Sequence, residues 1–124
     1  MLKRLPDAEL EVMKALWKLG KQTSRVQLEE ALAEYHWAAN TINTYLLRLT
    51  EKGFVTSSKE GRQNLYSPAV SQADYLTLES KNTLSRLYGS PRNFVAALAR
   101  DGLDRQQLDD LRALLDELEG GEEA

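Results

Sequence analysis

Between Ala39 and Gly53 the chain reads Ala-Asn-Thr-Ile-Asn-Thr-Tyr-Leu-Leu-Arg-Leu-Thr-Glu-Lys-Gly, and its polar residues are an uncommon choice for a helix. Ile42, Tyr45 or Leu46, and Leu49 recur at helical spacing and mark a core-facing stripe. The residues between them, Asn40, Thr41, Asn43, Thr44 and Arg48, can all make hydrogen bonds. A solvated helix face is normally built of Glu and Lys, whereas short amides and hydroxyls are mediocre helix formers that need another reason to be there. Contacts to base edges and phosphates supply one: Asn pairs bidentately with adenine, and Thr touches a thymine methyl. The plain alternative is a polar helix with no partner.

Other chemistries find no foothold. His36 is the only histidine and there is no cysteine, which excludes a disulfide framework, a cysteine nucleophile and a metal site of the usual type. Asp109-Asp110 and Asp116-Glu117 are acidic pairs on a leucine-seamed segment, where a solvated face is the ordinary reading rather than a general acid/base couple. No glycine-rich phosphate loop and no serine elbow occurs. The expectation is a non-enzyme without cofactor.

At 124 residues, 42% hydrophobic and 28% charged, the chain has room for one compact domain or a small domain with a helical arm. No apolar run approaches a membrane span and the N-terminus lacks a signal-peptide core, so a cytoplasmic location without membrane insertion is expected. The net charge of −3 is unevenly held. Up to Pro68 there are ten Lys/Arg against eight Asp/Glu, net +2; beyond it six stand against eleven, net −5. A nucleic-acid surface therefore belongs to the first half, and the acidic second half suits another protein.

The elements that must position the Asn40–Arg48 face follow from local signals. Pro6 at the first helical position, with Asp7 and Glu9 in the first turn, opens a helix of roughly 14 residues. Leu10, Met13, Leu16 and Trp17 form its apolar stripe, Val12 and Leu19 its border, and Gly20 its end. Ser24 and Gln27 make a capping box before a short second helix with Val26, Leu28, Ala31 and Leu32. The third helix is the polar-faced one, closed by Lys52 and Gly53. Phe54–Ser58 and Gln63–Pro68 around a four-residue loop, Lys59-Glu60-Gly61-Arg62, read as a β-hairpin.

Three helices and a hairpin make a winged helix-turn-helix, in which the third helix enters the major groove and the hairpin tip meets the adjacent backbone or minor groove. Lys59 and Arg62 at that tip fit phosphate contacts. Beyond Pro68, one helical run from Ser71 carries Tyr75, Leu76, Leu78, Leu84, Leu87 and Tyr88 to Gly89. A shorter helix carries Phe94, Val95 and Leu98, and a last one, capped by Asp104, carries Leu108, Leu111, Leu115 and Leu118 in a coiled-coil-like seam. So much leucine exceeds what a small arm buries alone. A two-fold pairing through Leu76, Leu84, Leu87, Tyr88, Phe94, Leu98, Leu108, Leu111, Leu115 and Leu118 is the favoured solution, the alternative being that these helices fold back onto the winged domain. The organisation expected is mainly α with a small β-hairpin: a winged helix over 1–70, a helical dimerisation region over 71–120 and an acidic tail over 121–124.

The runs Glu9 to Trp17, Trp37 to Gly53, Gly61-Arg62 before Leu65-Tyr66-Ser67-Pro68, and Leu87-Tyr88-Gly89 resemble the penicillinase repressor (BlaI/MecI) family. The resemblance implies a homodimeric transcriptional repressor on palindromic double-stranded operators with half-sites like TACA and TGTA. Carried over by position, it turns Asn40, Thr41, Asn43 and Thr44 to the major groove, Arg48 to a phosphate, and Lys59 and Arg62 to the backbone beside the wing. It also implies release through a membrane-sensor-linked protease that leads to cleavage of an Asn-Phe bond in the helical arm; allowing a one-residue gap, the matching position here is Ala97-Leu98, and the Asn93-Phe94 dipeptide stands several residues earlier. Two departures stand out: Asn43 replaces a residue that is basic in some relatives, and the position matching the cleaved Asn-Phe bond is Ala97-Leu98. The C-terminal cysteines of copper-responsive relatives are also missing, so that signal is not expected. The competing reading is a winged-helix protein-interaction module without DNA binding, which the acidic total charge favours.

Overall fold

The structure, a computed structural model, describes residues 3–123, with the side chains of residues 122 and 123 left aside. The chain forms two compact units, one ending at Ser80 and the other beginning at Lys81.

In the first unit, α1 (Asp7–Leu19), α2 (Arg25–Ala31) and α3 (Ala39–Glu51) enclose one core. Val12, Met13 and Leu16 of α1 meet Leu28 of α2 and Ile42, Leu46 and Leu49 of α3, all fully buried. Val12, read as a border residue, is therefore central, while Leu19 is exposed. Pro6 caps α1 rather than beginning it: its backbone is still extended, and its carbonyl accepts the Leu10 N–H at 2.9 Å. Glu9 is more than a first-turn carboxylate. It is 3% exposed and paired with the Lys52 ammonium at the end of α3, tying the two helices together.

Ser24 and Gln27 form the expected capping box of α2, each side chain accepting the other's backbone N–H. The helix buries Leu28 alone; Leu32, its C-cap, is also buried, whereas Val26 and Ala31 face outward. A 3-10 turn (Ala33–Tyr35) and His36 in the left-handed region lead to α3.

The sheet has three antiparallel strands in the order β1-β3-β2: β1 (Thr23–Ser24), β2 (Val55–Glu60) and β3 (Gln63–Pro68). Strand β1 pairs Thr23 with Tyr66 and Ser24 with Leu65, which anchors the wing to the start of α2. Two residues are too few to carry an alternation pattern, so nothing in the sequence marks it. Lys59 and Glu60, expected in a four-residue loop, instead extend β2 opposite Asn64 and Gln63. The turn is only Gly61-Arg62, with φ +64° at Gly61, the two-residue geometry that takes glycine first and matches the twist of the strands.

Ser71 caps α4 (Gln72–Thr83) by accepting the Asp74 N–H. The first unit reaches Ser80, ten residues past the division expected at residue 70, because its core is incomplete without Tyr75. That ring is 1% exposed between Trp17 and Phe54, at centroid distances of 5.9 and 5.8 Å, and its hydroxyl accepts the Leu5 N–H at 2.8 Å. Trp17, expected in the core, is half-buried and packs against it, its indole N–H donating to the Val70 carbonyl. The single helical run expected up to Gly89 is divided, its last part, Leu84–Tyr88, being π-helical and closed by Gly89 at φ +81°.

In the second unit, Ser90 caps α5 (Pro91–Arg100), the Asn93 side chain donates to the Tyr88 carbonyl, and Tyr88 meets Phe94 edge to face at 5.1 Å. Asp104 and Gln107 cap α6 (Arg105–Glu123) reciprocally. The tail expected from residue 121 continues this helix through Gly120 and Gly121: once a helix is nucleated, each added residue gains its own hydrogen bond.

Candidate nucleic-acid interface

On α3, one turn per 3.6 residues puts Ile42, Leu46 and Leu49 on the core side and leaves Asn40, Asn43, Thr44 and Arg48 exposed on the other. Thr41 lies at the edge and is half-buried. Lys52 and Gly53, at φ +82°, end the helix, so the core contacts and the Glu9–Lys52 pair hold the outward face at a set angle. The Thr44 hydroxyl donates to the Asn40 carbonyl at 3.0 Å. With that proton engaged, Thr44 offers its methyl group and oxygen lone pairs outward, and the amides of Asn40 and Asn43 are the neutral donors and acceptors of the face.

A groove of about 760 Å³ runs between this helix and the wing. Asn43 and Leu47 of α3, Arg25 and Val26 of α2, and Arg62 and Tyr66 of the hairpin all line it. The fold thus brings Asn43 and Arg62 to one surface. Lys59 is exposed on β2 but is not part of this lining, and Asn40, Thr44 and Arg48 stand on α3 outside it. Glu60 also lines the groove, so the wing carries one carboxylate beside its guanidinium.

Two contributors escape the reading of the sequence. Arg25 looks like an ordinary first-turn residue paired with Glu29 four positions on, which it is, yet it also lines the groove. Leu47 is 60% exposed on α3. Its spacing, four after Asn43 and three after Thr44, was sufficient to place it on the polar face, although it is apolar.

Electrostatic perturbation lies away from this face. Glu11 accepts the Tyr35 hydroxyl at 2.8 Å and pairs with Lys14, which lowers its carboxyl below the usual range and pushes the Tyr35 phenol up to about 12. Tyr35 in turn stacks on Trp37, which meets Tyr45 edge-on, so an aromatic series props the turn that enters α3. Among the described residues no group of His, Asp and Glu is arranged to hold a metal ion, and no helix is long and apolar enough to cross a membrane.

The arm residues are partly open. Leu87, Leu98, Leu115 and Leu118 are exposed, as is Leu76 at the end of the first unit, whereas Leu84, Tyr88, Phe94, Leu108 and Leu111 are half-buried. Val95 and Leu114 add to the exposed apolar surface. Ala97 and Leu98 are exposed in the C-terminal half of α5, and Asn93-Phe94 lies in its first turn.

Residues 5–117 match the family model described as penicillinase repressor. The chain is 35% identical over 121 residues to the penicillinase repressor of Bacillus licheniformis, covering 94% of both. It is 32% identical to the transcriptional regulator BlaI of Mycobacterium tuberculosis, over 97% of this chain and 88% of that one. Among solved structures, the Bacillus licheniformis BlaI monomer in complex with the blaP half-operator is similar over 60% of this chain and 92% of its own, with 38% identity and a TM-score of 0.51.

Proposed function

The chain belongs to the penicillinase repressor family, and from that premise we propose that it represses transcription by binding operator DNA sequence-specifically as a homodimer. The observation that carries this reading is the exposed amide and hydroxyl face of α3 beside Arg62 of the wing. A relative whose solved structure is in complex with a half-operator is similar over 60% of this chain, which supports the reading. Asn40, Asn43 and Thr44, with Thr41 at the edge, read base edges in the major groove, and Arg48 takes a phosphate. Lys59 and Arg62 take the backbone beside it, and Arg25 adds positive charge at the groove.

The exposed leucines of the arm support the homodimer. Two copies of one apolar stripe are self-complementary about a two-fold axis, and such a dimer presents its recognition helices to half-sites whole helical turns apart. Release by a sensor-linked protease fits a cut in α5, whose Ala97-Leu98 peptide is exposed on a short helix. Footprinting of the full chain on the DNA upstream of its own gene, with a random duplex as reference, tests the function. A protected two-fold site is the expected result. Equal affinity for both duplexes at every salt concentration would remove the sequence-specific reading.

A further inference from the structure

We infer that Leu47 reads a thymine methyl group and is the apolar specificity determinant of the interface, an inference that rests on the DNA-binding role above. Leu47 stands above Asn43 and Thr44 on the outward side of α3, 60% exposed, among residues that otherwise make hydrogen bonds. It makes no contribution to the core, which Leu46 and Leu49 on its flanks already fill. A leucine on a solvated face exposes apolar area that a Lys or Glu would not, so its use there calls for an apolar partner when the face is occupied. The surrounding groove is lined by Arg25, which is paired with Glu29, by Arg62 beside Glu60, and by the amides and hydroxyls of Asn43, Thr50, Ser57, Gln63 and Asn64, a polar lining that matches a nucleic acid better than a hydrophobic helix. On the major-groove edges of the four bases the 5-methyl of thymine is the one aliphatic group. The engaged hydroxyl of Thr44 sharpens the point, because it leaves a second methyl beside Leu47. Val26 of α2, 52% exposed, is a second apolar residue lining the same groove.

The test is a protein–DNA double-mutant cycle. A duplex selected by the full chain from a random pool is re-synthesised with each thymine replaced in turn by deoxyuridine, which removes the methyl and nothing else. Fluorescence anisotropy then compares the native chain with Leu47→Ala and Leu47→Met. At one thymine per half-site the native chain is expected to lose about fourfold in affinity, the worth of one buried methyl, and Leu47→Ala to be indifferent to the same change. Leu47→Met keeps an apolar side chain of similar volume and should retain the sensitivity. If Leu47→Ala keeps the full deoxyuridine penalty, or no thymine is sensitive in the native chain, the inference fails. If Leu47→Ala weakens self-association instead, measured by sedimentation equilibrium, the residue belongs to a protein contact and the inference is likewise overturned. Failure to select any sequence over random DNA would be a failure of the DNA-binding role itself, and so is distinguishable from these.

Discussion

Three residues show how an individual side chain's environment decides what it contributes. Thr44 uses its proton on the Asn40 carbonyl, so its outward chemistry is mostly that of a methyl group. Thr44→Val should therefore keep most of the discrimination between operator and random DNA, whereas Thr44→Ala should lose about 1–3 kcal/mol of it if the contact is a good one. Affinities of both variants on the two duplexes check this, and an equal fall on operator and random DNA for Thr44→Ala would remove its base-reading role. Tyr75 does the opposite, offering its oxygen to the buried Leu5 N–H. Tyr75→Phe keeps the ring but orphans that N–H, and urea unfolding should show a loss of about 1–3 kcal/mol. The Tyr35 phenol, pushed up to about 12 by Glu11, holds its proton longer in the folded chain than in the unfolded one. The folded state then binds more protons above pH 10, so this contribution to stability is complete below pH 10 and disappears as the pH rises through about 12. Thermal melts of Tyr35→Phe between pH 9 and 12 should show a shallower alkaline decline than the native chain.

Elements are set by their ends and by what they pack against. The Ser24–Gln27 box was legible because its chemistry is local: two side chains and two backbone groups three residues apart. Ser24 also sits in β1 against Leu65, so it joins the start of α2 to the wing. Ser24→Ala should cost about 0.5–2 kcal/mol, and Ser24→Asp, which can still cap, should recover most of it in the same denaturation assay. The extent of the hairpin was less legible. Its position followed from β-branched and aromatic residues, but Lys59 and Glu60 have strand geometry only because Gly61 closes a two-residue turn that keeps them in register with Asn64 and Gln63. The helix face of α3 was readable from period alone, apart from Leu47, whose type and position disagree.

For the whole molecule, the arm leucines and the charge division carry the expectation of a dimer on DNA. Leu115→Glu combined with Leu118→Glu places charge on an exposed apolar seam of α6 without touching the winged core. Sedimentation equilibrium should show a monomer, and operator affinity should fall about 100-fold or more as the effective concentration of the second half-site contact is lost. A dimer that survives both changes would place self-association elsewhere. What the sequence by itself determined is what short-range rules encode: helix periods, caps, the turn glycines, the absence of cysteine chemistry, and the polar face of α3. Tertiary structure alone decided which residues finish the core and which are left to the groove. Tyr75 closes the winged core from beyond residue 70, and Glu9 is buried because Lys52 arrives from 43 residues away. Burial depends on neighbours brought together across the chain, so for Leu47 the residue type pointed inward while packing, already complete with Leu46 and Leu49, left it facing out.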